Sequence, residues 1–161
     1  MKHSTRALSL AGLCAATVAL PVVAGVAGAT DPPPAPVAQT LVDRANLNDG
    51  VHLNEDRIKL DIKDGGDVRF QKVTYGPDSR SGWHTHPGFV VVAVASGTIT
   101  AFDADCETMT YGPNDVFVEY GDSAMQLGNL TATDTVLYAT FVVPDGSPFR
   151  VNSTSPPPCD S

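Results

Sequence analysis

From residue 57 onward, apolar and polar positions alternate along the chain. Ile58, Leu60 and Ile62 alternate with Lys59, Asp61 and Lys63, and Asp64-Gly65-Gly66-Asp67 then turns the chain. The same reading predicts strands over residues 68–75, 89–96, 98–104, 108–111, 116–119, 124–130 and 133–143. Successive side chains of a strand face opposite sides, so such a pattern buries one face of each strand and wets the other. Many short strands, punctuated by Gly, Pro, Asn and Asp, predict an all-β sandwich or barrel. The pattern weakens before residue 57. Residues 37–47 predict one short helix, residues 46–50 a turn, and Asp31-Pro-Pro-Pro-Ala-Pro36 a stiff extended spacer.

The start of the chain follows another logic. Lys2 and Arg6 precede a run of apolar and small residues over 7–29 that ends Ala27-Gly28-Ala29. A basic start, an apolar centre and small residues at a cut site predict a secretory signal peptide, cleaved after Ala29. Pro21 and the many Ala and Gly residues argue against a retained membrane anchor. Leu13 ahead of Cys14 argues against lipid attachment. Among 161 residues, 14 Gly and 13 Pro with only 17% charged residues fit a turn-rich, strand-rich domain. The net charge of −8 disfavours nucleic acid and anionic membranes as partners, because both are bound through basic faces. After cleavage the expected protein is free of the membrane, in the periplasm, cell envelope or medium. It keeps two cysteines, Cys106 and Cys159, and an even pair in an exported protein predicts a disulfide tying the tail 152–161 to the domain.

Gly82-Trp83-His84-Thr85-His86-Pro87-Gly88 carries the chemistry. In an extended segment His84 and His86 share a face, about 6–7 Å apart at their Cα atoms, so their imidazoles can hold one metal ion. Val90 and Val92 follow with the same parity, giving two nitrogens above an apolar interior.

This stretch resembles the first motif of the cupin superfamily: Gly, five residues, His-x-His, three or four residues, Glu, six residues, Gly. His84, His86 and Gly97 match; Asp78 stands at the leading Gly and Val90 at the Glu. The second motif is Gly, five, Pro-x-Gly, two, His, three, Asn. Aligned on Asn129, it puts Met125 at the His, Asp122 and Tyr120 at the central Gly and Pro, and Asn114 at the leading Gly. The resemblance covers residues 57–151 and implies a double-stranded β-helix, a jelly-roll-like barrel, preceded by a proline-rich arm over 30–56. Cupins hold metal with three His and one Glu. With Val90 and Met125 in two of those places, the motif predicts a degenerate site.

The resulting expectation is a secreted small-molecule-binding or sensor module with weak or no metal binding. A metal-dependent dioxygenase or isomerase is the alternative. Expected site residues are His84 and His86, with Met125 as a weak soft ligand, above a pocket containing Val90, Val92 and Asn129. The matching cofactor is a loosely held divalent transition metal or, through the thioether, copper. The sequence leaves the oligomeric state open, a homodimer included.

Overall fold

A computed structural model describes residues 38–153 as twelve β-strands, with no helix among the described residues. The leader, its cut site after Ala29, the proline-rich spacer, and Cys159 with the tail from residue 154 lie outside the described residues.

The main sheet has five antiparallel strands in the order β1 (Ala38–Leu47), β4 (Gly66–Tyr75), β11 (Thr135–Pro144), β6 (Phe89–Ser96) and β9 (Val116–Tyr120). A second sheet runs β10 (Gln126–Gly128), β7 (Ile99–Phe102), β8 (Thr108–Tyr111). The two-residue strands β5 (His84–Thr85) and β12 (Val151–Asn152) pair with each other, and β2 (Val51–Glu55) with β3 (Ile58–Ile62) forms a separate hairpin.

One expectation is overturned here. The predicted helix over residues 37–47 is strand β1, paired with β4 from Ala38↔Thr74 to Leu47↔Gly66 with a bulge between Leu41 and Asp43. The edge of β4 offers this backbone its hydrogen-bond partners, and nearly all of β1 is exposed, so tertiary pairing outweighs a weak local preference.

Cross-strand register sorts the interior face of the main sheet into rows. Val73, Leu137 and Val94 form the deepest row, followed by Gln71, Ala139, Val92 and Phe117. The third row is Arg69, Phe141, Val90 and Glu119. Ile99 and Leu127 of the second sheet close the core against the deeper rows. Polarity thus rises from an apolar floor to a row that ends in an arginine at one side and a glutamate at the other. Burial of the floor supplies most of the driving force, roughly 1.5–3 kcal/mol for each large apolar side chain. At Gly88 an added Cβ would run into the Val142 carbonyl, so only glycine lets the chain enter β6 so close to β11.

Backbone conformation explains two of the three motif glycine positions that are filled by other residues. Asp78 and Asn114 have φ of 54° and 73°, in the left-handed region that Asp and Asn tolerate better than other side chains.

Candidate metal centre

His84 sits on β5 and is fixed from both sides. Asn152 pairs with it across β12, and Met125 forms an antiparallel bridge through two 2.9 Å backbone hydrogen bonds. His86 follows two residues later on the same side. The rings meet edge to face, with centroids 4.9 Å apart. Both are buried, at 4% and 3% exposure.

Each imidazole is oriented by a backbone carbonyl. His84 Nδ1 lies 2.9 Å from the Gly82 oxygen, and His86 Nδ1 lies 2.7 Å from the Phe149 oxygen. A carbonyl only accepts, so each Nδ1 carries a proton, and in the neutral imidazole Nε2 is then the nitrogen that presents a lone pair. Burial, with the Arg150 charge second, pushes the His84 pKa down to about 4, against a partial upward pull from the Gly82 carbonyl. His84 is therefore neutral at pH 7.

The third member is Glu119 on β9. The three side chains place one ligand atom each within 4.8 Å of one another. His86 Nε2 and Glu119 Oε2 are 3.0 Å apart with both groups buried. Nevertheless, His86 Nε2 and Glu119 Oε1 have no hydrogen-bond partner. A neutral imidazole nitrogen facing a carboxylate oxygen sets two lone pairs against each other, and a cation between them, a proton or a metal ion, relieves this. The spacing suits one: two donors each about 2.1 Å from an ion and at right angles to it lie about 3 Å apart. Two neutral imidazoles and one carboxylate also form the donor set used for non-haem iron and related divalent ions. The residues fit a metal.

The motif's vacant acid is thus supplied from elsewhere. Val90, at the motif's Glu position, pairs directly with Glu119 across β6 and β9, so the carboxylate comes from the adjacent strand at the same level. Alignment along the chain misses this, because strand register is not written in residue spacing.

The other expected site residues divide. Val90 and Val92 line a cavity of about 100 Å³ beside the histidines. Met125 packs half-buried against the core and Asn129 is fully buried, and neither lines this cavity. Asn129 instead donates to the Tyr75, Gly76 and Thr133 carbonyls, tying two loops together. His52 pairs with Asp61 at 2.7 Å on the β2–β3 hairpin. The cavity also contains Tyr75, Arg69 and Arg150, which the sequence had not singled out as site residues. Burial first, then the nearby Glu119 carboxylate, pushes the Tyr75 phenol well above its usual range, so it keeps its proton. Arg150 is held by the Ser81 carbonyl at 2.6 Å and by Asn152 at 2.8 Å.

No protein-family model matches the chain, and no curated protein matches it. Solved structures do. An uncharacterized conserved protein with a double-stranded β-helix domain from Klebsiella pneumoniae is similar over 79% of this chain and 89% of its own, with TM-score 0.54 and 11% identity. A cupin domain from Bordetella pertussis is similar over 68% of this chain and 95% of its own (TM-score 0.47, 14% identity). A cupin 2 domain-containing protein from Halorhodospira halophila covers 55% of this chain and is itself covered over 59% (TM-score 0.48, 15% identity). The fold is a double-stranded β-helix, the fold that the sequence resemblance implies.

Proposed function

We propose that this is an exported cupin-fold protein that holds one divalent transition-metal ion on His84, His86 and Glu119 and binds a small molecule in the adjoining cavity. The observation that carries the reading is the buried 3.0 Å approach of His86 Nε2 to Glu119 Oε2, with no hydrogen bond satisfying the imidazole nitrogen. Glu119 changes the expectation of a degenerate site, because it adds an anionic oxygen to the two nitrogens. A hard carboxylate also favours iron, manganese or zinc over Cu(I), for which Met125 would have been needed.

A bound ion would supply a Lewis-acid centre with positions open to a ligand. The chain's own residues do the rest. The Gly82 and Phe149 carbonyls hold both imidazoles in the ligating tautomer, an outer-shell role that sharpens metal sites. Val90, Val92, Leu137 and Phe141 give the cavity an apolar wall. The Tyr75 hydroxyl keeps its proton and lies in the same cavity, where it can donate to a bound oxygen. That phenol is the observation behind a second reading, a metal-dependent enzyme. Export by the leader and a Cys106–Cys159 disulfide complete the proposal.

Metal content decides it. Protein stripped with chelator and titrated with Zn(II), Mn(II) or Fe(II) should take up one equivalent. Removing one ligand in His86→Ala or Glu119→Gln should weaken binding on the order of 100-fold or more, since even outer-shell changes cost 10–100-fold. Equal metal affinity in wild type and Glu119→Gln would refute the triad.

A further inference from the structure

Arg69 stands at the opposite end of the interior row from Glu119, and both line the cavity. Its Nε is buried without a hydrogen-bond partner, and the side chain makes no hydrogen bond or ion pair among the described residues. An acid is near in sequence. Asp67 precedes it by two residues on β4, but the Asp67 carboxylate accepts from Asn46 Nδ2 and the Gly146 N–H, each at 3.3 Å, and faces Arg44 at 3.8 Å. The Arg69 guanidinium instead lies over the Phe149 ring, 5.4 Å from its centroid. A cation–π contact of this kind uses none of the guanidinium's N–H donors.

The buried, unpartnered Nε of a guanidinium that lines a cavity calls for an acceptor, and a carboxylate is the geometric match of the fork. The cavity sets the size. About 100 Å³ is the room of roughly three waters at ~30 Å³ each, the bulk of a small carboxylate. Arg69 and Glu119 are three strand spacings apart, about 14 Å between Cα atoms measured along the sheet, and their side chains shorten that from both ends. Arg150 adds positive charge to the wall, with its Nε turned to Asn152 and its Nη2 to the Ser81 carbonyl.

We infer that the cavity binds a small carboxylate of two to four carbons, with its carboxyl group on Arg69 and its other end toward His84, His86 and Glu119. The inference deepens the metal reading, which it needs only for the ligand's far end.

Malonate and its neutral isostere malonamide are the probes, titrated calorimetrically into full-length protein after leader removal, both chelator-treated and Zn(II)-loaded. Malonate should bind at least about tenfold more tightly than malonamide. Arg69→Gln should weaken malonate about tenfold to hundredfold, the loss of one charge-assisted pair, and leave Zn(II) affinity within about threefold. Arg57→Gln, the same charge change on the exposed β2–β3 hairpin, should leave both affinities unchanged. Equal binding of malonate and malonamide by wild type, or unweakened malonate binding by Arg69→Gln, overturns the inference. The wild-type comparison decides even if the variant misfolds. Arg69-dependent malonate binding in a protein that takes up no metal supports the inference and refutes only the metal reading.

Discussion

Replacing Asn129 tests whether it belongs to the ligand pocket or to the scaffold. It has 0% exposure and five side-chain hydrogen bonds. Nδ2 donates to the carbonyls of Tyr75, Gly76 and Thr133 at 3.0, 3.0 and 2.7 Å. Oδ1 accepts from the Thr131 N–H at 3.0 Å and from its hydroxyl at 2.7 Å. In Asn129→Ala, Gly76 still accepts from Ser79, and Thr133 from the Thr131 hydroxyl. The uncompensated losses are the side-chain donor to the Tyr75 carbonyl and the acceptor for Thr131. A buried group deprived of its partner costs about 1–3 kcal/mol and a half-exposed bond about 1, so the expected destabilisation is about 3 kcal/mol. Asn129→Asp keeps the shape but turns the donor into an oxygen facing three carbonyl oxygens. It should be at least about 1 kcal/mol worse than alanine at pH 7 and recover partly in acid, where the carboxyl regains a proton. Urea unfolding followed by the fluorescence of Trp83, the single tryptophan, reads both. With a slope near 1.5 kcal/mol per molar, Asn129→Ala should lower the midpoint by about 2 M. Aspartate tolerated as well as asparagine would refute the clamp.

Two further outcomes follow from the chemistry already described. In chelator-treated protein, His84 has a folded pKa of about 4 against 6.5 when unfolded, so the unfolded chain takes up its proton first as pH falls. Stability should be full above pH 6.5 and drain by about 3 kcal/mol down to pH 4, and a His84→Gln variant should lose this part of the slope in urea melts at stepped pH. Intact mass of the exported protein should begin at Thr30 and be lighter by two hydrogens than after reduction. Free thiols at both Cys106 and Cys159 would refute the disulfide, whose closure of a loop of about 50 residues should contribute roughly 4 kcal/mol.

Much of this architecture was legible in the sequence, and what was missed has physical causes. Strand β6 is found over residues 89–96, as the apolar run with four valines ending at Gly97 predicts. His84 and His86 could be read as a pair because residues two apart in an extended segment share a face, which is a local property. Glu119 could not. Its strand reads Val-Phe-Val-Glu-Tyr, with apolar residues on both faces, so nothing local marks the inward one. Its relation to His86 runs through β6–β9 pairing and loop closure. Strand β1 was misread for a related reason. It lies exposed at a sheet edge, so burial imposes no period on it, and only β4 makes it a strand. Arg69 was hidden because an arginine in a strand usually marks the wet face; here it stands on the packed one.

Supplying the carboxylate from β9 makes the site's integrity depend on alignment between two strands rather than on the identity of one loop. β9 is the sheet's outer strand, with only β6 holding its position within that sheet. A shift of one residue along that ladder would bring Val118 or Tyr120 to face inward and turn Glu119 to solvent, leaving the backbone hydrogen bonds and the two histidines in place. Such a molecule would remain folded yet lose its anionic ligand. Binding of another chain along the free edge of β9, or an insertion in the turn at residues 112–115, would act on the metal centre as a mechanical fault in register, without touching a single ligand.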